Sequence, residues 1–267
     1  MKKITLIKLG GAIITNKEVP MMVQRDTLNR LIMEISQARS QSEDLYIVGH
    51  GQGSFAHAPA LRYKTMDGFV SEESAIGMAI TQDSAAQLNR IVVKNFLRDQ
   101  IPAVSFLFSN SMVTNNKKAK HWCSEVLLNY LEKGLVPVTG GDVLIDEKIG
   151  CTIWSTEKVL SYIANNLPKG DYQVSRIIHV TEVAGVLDEN NVVISEISRD
   201  NEQKVKTLMR DTKGFDVTGG MWHKILESLE LADQGIESVI ISGVKEGTLL
   251  NCLTGKEFTG TRIVSKG

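Results

Sequence analysis

A near-continuous apolar run over positions 4–9 stops abruptly at Gly10-Gly11. A short run of this kind, closed by glycines, predicts a buried strand. Leu28, Leu31, Ile32 and Ile35 then recur at helical spacing, which predicts a helix over 24–38 and, after it, a second buried strand over 45–48. Strand, glycine loop, helix, strand, glycine loop is the rhythm of an α/β protein with a mostly parallel sheet. Helical spacing resumes over 71–97 and a strand is predicted over 102–107. Residues 109–120 are polar and predict no strand; a helix over 121–132 and a strand over 135–139 follow. Gly140-Gly141-Asp142 breaks that strand before another at 143–145, and Glu147-Lys148-Ile149-Gly150 reads as a hairpin turn into 151–154. A helix over 155–166 ends the first half. Leu167-Pro168-Lys169-Gly170 is then either a lobe boundary or a plain surface turn. Beyond it the pattern predicts a strand over 177–180, helices over 201–211 and 218–234, and strands over 238–241 and 261–264. No internal repeat or low-complexity tract interrupts the series.

Composition narrows the class. The chain has 267 residues, 42% hydrophobic and 23% charged, as in ordinary soluble globular proteins, which is enough for one large domain or two lobes. A formal net charge of −1 excludes a bulk electrostatic attraction to nucleic acid or to an anionic membrane. Cys123, Cys151 and Cys252 are odd in number and far apart, which points to a reducing compartment rather than a disulfide frame or a zinc site. The apolar run after Met1 ends at Lys8, too soon for a signal peptide, and nothing approaches the ~18 apolar residues of a membrane span. A cytoplasmic protein is expected.

The candidate chemistry concentrates at 45–57, where a strand runs into Gly49, Gly51 and Gly53 at alternate positions and His57 closes the loop. Glycines let backbone amides approach a ligand because no side chain intervenes. A helix starting near Ser54 would aim its free N–H groups at the same place and favour an anion. The stretch predicts a phosphate cradle with His57 as a fixed donor and His50 turned inward as support. Gly10-Gly11, Gly140-Gly141 and Gly185 also follow predicted strands, and ligands of open α/β sheets bind beyond the carboxyl ends of strands. Lys8 ends an apolar strand, so its ammonium either snorkels to the surface or enters that cleft. Lys17 can join it from the next loop. Lys224 sits in the first turns of a helix, where a cation is unfavourable unless an anion pairs with it, which points to phosphate near Gly219-Gly220. Asp142 and Glu157 can organise lysines or orient a magnesium-bound phosphate, and Glu157 can equally be a plain helix N-terminal acid. His121, His179 and His223 have no partner at ligand spacing. P-loop, dinucleotide, HExxH and GxSxG patterns are lacking.

With those residues in place, the chain resembles the amino acid kinase superfamily and, within it, the isopentenyl phosphate kinases, over essentially its whole length. The resemblance is carried by 8–17 (Lys-Leu-Gly-Gly-Ala-Ile-Ile-Thr-Asn-Lys), by 50–57 (His-Gly-Gln-Gly-Ser-Phe-Ala-His), by 136–142 and by 216–224. It implies a three-layer α/β/α sandwich, one domain over 1–267 with an acceptor-binding part (1–170) and a nucleotide-binding part (171–267). It implies ATP-dependent phosphorylation of isopentenyl phosphate to the diphosphate, in an alternative mevalonate route, with ATP and Mg2+ as cofactors and a homodimeric assembly. Lys8, Lys17, His57 and Glu157 would then be catalytic. Lys8, Gly10, Gly11, Lys17, Thr181, Gly185, Gly219, Gly220 and Lys224 would bind ATP. Gly51, Gln52, Gly53, His57, Gly141 and Asp142 would bind the acceptor, and Gly10, Gly11, Gly51 and Gly53 would offer amides. Ile76, Met78 and Ile80 are candidates to line an apolar acceptor pocket. The chain departs from the family pattern in places: Gln52 replaces a small residue, Ala56 a glycine, Ser155-Thr156-Glu157-Lys158 a Ser-Gly-Asp-Asp segment, so that Glu157 stands for its acid, and Glu182 an aspartate. A fosfomycin-type kinase and a nucleotide-binding regulatory protein without turnover are the alternatives.

Overall fold

The computed structural model describes residues 1–168, 170–210 and 220–265. Strand β1 (Lys2–Leu9) is buried from Ile4 onward, which is why its sequence shows an apolar run rather than alternation. Helices α1 (Gly11–Ile14) and α2 (Arg25–Arg39) follow, then β2 (Leu45–His50), α3 (His57–Arg62), α4 (Ser74–Arg98) and β3 (Ala103–Ser105). Strands β4 (Met112–Asn115) and β5 (Lys118–Trp122) precede α5 (Glu125–Glu132), β6 (Val136–Gly140), β7 (Asp142–Asp146), β8 (Gly150–Trp154) and α6 (Thr156–Asn166). The remainder is β9 (Tyr172–Thr181), β10 (Glu196–Ile197), α7 (Glu202–Arg210), α8 (Gly220–Ala232), β11 (Glu237–Ser242), α9 (Thr248–Leu253) and β12 (Gly260–Ile263).

The main sheet has the order β10-β12-β11-β9-β1-β2-β6-β3, and every neighbouring pair is parallel except β11 with β12. Side chains alternate across β1, so Ile7 and Leu9 join Leu31, Val92 and Leu249 of α2, α4 and α9 on one face. Ile4 and Leu6 join Leu131 and Leu160 of α5 and α6 on the other, where Ile225 and Leu229 of α8 pack on β11 and β12. This is the expected three-layer sandwich. After α6 the chain continues into β9, and β9 pairs with the whole length of β1, so both halves of the chain share one sheet.

The sequence expectation fails at 109–120. A second sheet, β5-β4-β7-β8, stands there, and the helix expected from 121 begins only at Glu125. Asn116 and Lys117 form the two-residue connection between β4 and β5, both at positive φ (50° and 67°), the geometry of a primed hairpin turn. The buried Asp146 carboxylate accepts from the N–H groups of Asn116, Lys117, Lys148 and Ile149 and from Thr114 Oγ1, and so anchors one hairpin to the other. Short α9 and β10 were likewise unforeseen.

His50 is fully buried at the end of β2, where its Nε2 accepts from Asn89 Nδ2 at 3.2 Å. Burial lowers its pKa from 6.5 to about 4. Between those values the unfolded chain binds a proton that the native state does not, so stability is complete above 6.5 and is lost as pH falls toward 4. The loss should reach about 3 kcal/mol, and His179, lowered to about 4 by burial and then by the nearby Lys8 charge, adds to it with the same sign. Urea unfolding from about pH 7 down to about pH 4.5 reads this slope, and His50→Asn should flatten it in part. An unaltered slope in that variant would assign the acid loss to other groups.

Candidate active site

Lys8 reaches the carboxyl end of the central strand, between β2 and β9, and is 7% exposed. Its side chain enters the cleft rather than snorkelling to the surface. The ammonium donates to Glu157 Oε1, and Lys224 Nζ lies 3.5 Å from the same oxygen. Glu157 stands in the first turn of α6, whose start is capped by Ser155 Oγ accepting from the Lys158 N–H at 3.2 Å. Burial opposes the charge of Glu157, yet the Lys8 ammonium outweighs it and, with Lys224 behind, holds the carboxyl at about 2. Burial also pulls Lys8 below its usual value, opposed by Glu157. Thus one carboxylate gathers two cations from opposite halves of the chain. His179, whose sequence context marked it as unremarkable, pairs in register with Lys8 on the neighbouring strand.

The glycine junctions after β1 and β2 touch back to back. A Cβ on Gly11 would stand 2.5 Å from Gly53 N, and one on Gly51 2.6 Å from Gly11 N. Gly53 is also left-handed, at φ +49°. The helix anticipated near Ser54 begins instead at His57, because the preceding amides are already spent. Ser54 N–H donates to Thr15 Oγ1 and Phe55 N–H to Gln52 O. Gly10 and Gly51 likewise donate their N–H groups to the carbonyls of Val180 and Leu9, so these two glycines serve close packing rather than offering amides. Among the described residues, Gly11 and Gly53 have no such backbone acceptor.

A cavity of about 860 Å³ opens between these loops, α3, α4 and β7–β8. Lys8, Gly11, Gly51, Gly53, His57 and Glu157 line it, and Ala60, Leu61, Met66, Ala85, Val143 and Ile153 give it apolar wall. His57, first residue of α3, presents an exposed side chain there. Gln52, Gly141 and Asp142 also line it, although both Asp142 oxygens accept backbone amides, from Ser109 and Val143, each at 2.8 Å. Burial pushes the Asp142 pKa up against those bonds. The apolar wall differs from the sequence expectation. Ile76 and Ile80 are exposed and Met78 half-buried, because α4 turns Thr81 and Ala85, one helical turn apart, toward the cavity instead.

On the other side of β1, Lys17 pairs with Glu182 just past Thr181, so the glutamate departure is met by a lysine. Thr181 Oγ1 donates to Val183 O at 2.9 Å, and Gly185 packs against Thr261. Gly220 opens α8; Gly219 lies outside the described residues.

If Glu157 is the common counter-ion, Glu157→Gln should lower kcat by about 10²-fold, the worth of a charge-assisted hydrogen bond, while the protein still folds. Steady-state kinetics with circular dichroism checks this, and full activity would give the role to another residue.

Comparison with known proteins follows the same lines. The amino acid kinase family matches residues 3–242. An isopentenyl phosphate kinase of Methanothermobacter thermautotrophicus is 35% identical over 98% of this chain and 99% of its own. One of Methanocaldococcus jannaschii is 33% identical over 97% and 98%. A crystallised isopentenyl phosphate kinase superposes with a TM-score of 0.78 at 30% identity, covering 97% of this chain and 100% of that one. No helix among the described residues is long and apolar enough to cross a membrane. A cavity with glycines and apolar wall, a lysine–glutamate–lysine cluster built on the buried Lys8, and full-length relatives agree: the chain belongs to the amino acid kinase family, on its isopentenyl phosphate kinase branch.

Proposed function

We propose that the protein transfers the γ-phosphoryl group of ATP to isopentenyl phosphate, giving isopentenyl diphosphate and ADP. The observation that carries this reading is a cavity lined both by Lys8, His57 and glycines and by apolar side chains. A prenyl tail fits apolar wall, and a phosphate fits the cradle. The names of the full-length relatives support the same acceptor.

The acceptor is already an anion at neutral pH, since the second pKa of a phosphomonoester is about 6. Its oxygen therefore attacks the γ-phosphorus without a general base, which suits a site whose nearest carboxylate is committed to two lysines. As the new P–O bond forms, the bond to the β-phosphate oxygen breaks and ADP leaves with that electron pair. His57 donates to the acceptor phosphate. Lys8 and Lys224 stabilise the transferring group by charge held in place before the reaction. Acceptor thus lies on the side of residues 1–170 and nucleotide against β9, β11 and α8, with Lys17 released from Glu182 to meet its phosphates.

Mg2+ would accompany the nucleotide, but the described residues do not form its cage. Glu157 is held by lysines and Asp142 by amides, and no group of three candidate ligands exists among the described residues. The ion's ligands would then be phosphate oxygens and the waters it gives up reluctantly.

An ADP-release assay with isopentenyl phosphate, dimethylallyl phosphate and fosfomycin tests the reading. Turnover on the isoprenoid phosphates is expected. Turnover on fosfomycin alone would replace the acceptor, and turnover on none with ATP bound would favour a regulatory protein.

A further inference from the structure

Thr156 is 3% exposed and follows the residue that already caps α6, so its hydroxyl is not needed for the cap. That hydroxyl instead reaches across the fold. It donates to His50 O at 2.6 Å and accepts from Gly141 N–H at 2.8 Å. Gly141 O in turn accepts from Gln52 Nε2. The Thr156 methyl has a separate task, packing where a Cβ on Gly49 would meet it at 2.9 Å. The hydroxyl thereby ties three places together: the residue before the glycine loop, the end of β6, and the start of the helix that carries Glu157.

We infer that Thr156 is a positioning residue for phosphoryl transfer, closing with Gln52 and Gly141 a clasp that sets the gap between the glycine loop and the Lys8–Glu157 pair. The inference rests on the proposed kinase reading. The loop can shift relative to α6 only by breaking the clasp. Thr156→Val keeps the shape and methyl but leaves His50 O and Gly141 N–H without their partner in a buried place. The acceptor phosphate and the lysine cluster then lose their fixed separation, and reacting groups misplaced by about 1 Å can lose 10²-fold in rate. The nucleotide side of β1 takes no part in the clasp.

Steady-state kinetics of Thr156→Val and Thr156→Ser, beside thermal melts, test this. Thr156→Val should lower kcat at least about tenfold with the KM for ATP unchanged, and Thr156→Ser should stay within about threefold of the parent. A drop in melting temperature with kcat of the folded protein unchanged would make the hydroxyl merely structural and overturn the inference. So would loss of activity in the serine variant, since the methyl would then be what matters. Should the valine variant not fold, Gln52→Met breaks the other arm; it should lower kcat similarly, and an unaltered kcat would sink the clasp. Where all variants fold, the double variant should cost no more than the worse single one, and additive losses would show that the two residues act independently. Turnover by the parent protein decides the kinase reading separately, so failure of one is distinguishable from failure of the other.

Discussion

Replacing Lys8 with methionine is expected to lower kcat by about 10³-fold with ATP still bound, close to what a preorganised charge in a water-poor site contributes. The lysine is 7% exposed, so its charge acts through little solvent, and its position at the end of the central strand is fixed by hydrogen-bonded neighbours on both sides. Methionine keeps an unbranched stem, one atom shorter, that can pack along the same path. What disappears is the ammonium facing the transferring group, and Glu157 is left to Lys224 alone. Lys8→Arg should restore little, because a planar fork cannot occupy the place of a compact ammonium. Single-turnover measurements at saturating substrates read the chemical step directly. A loss under about tenfold would mean that the phosphoryl group passes elsewhere.

His57→Ala should act differently, raising the acceptor KM by about 10- to 100-fold, the ~1.5–3 kcal/mol of a hydrogen bond to a charged group, with the KM for ATP unchanged. The imidazole is exposed at the start of α3, a helix none of whose residues is buried, so its removal leaves the core untouched. This makes the variant a clean report on acceptor binding. Unchanged kinetics would remove His57 from the site, and an equal rise in both KM values would place it at a shared phosphate.

How much of this was legible in the sequence follows from where each residue finds its partners. Strands buried on both faces announce themselves as apolar runs, so β1, β2 and β6 were readable, and of β9 only the more buried end at 177–180 was. Strands β4 and β5 were not, because they are short and partly exposed and their turn uses Asn116-Lys117 without glycine. What holds Lys117 at positive φ is Asp146, distant in sequence. Lys8 and Glu157 were legible as residues in a cleft. That they pair, and that Lys224 shares the pair, depends on a contact across 149 positions. The Thr156 hydroxyl left no local signature at all, since its partners lie 106 and 15 positions away.

The place of β1 in the sheet also bears on how the chain is made. The strand carrying Lys8 is made before the two strands that flank it, and β2 soon covers one of its edges. Its other edge belongs to Tyr172–Thr181, so at ribosomal rates of about 5–20 residues per second it stays open for roughly 10–30 s. An unpaired apolar edge is a template for strands of other chains. The strand that carries Lys8 is thus completed only once the second half of the chain arrives, and the newborn polypeptide depends during that interval on whatever shields its open side from its neighbours.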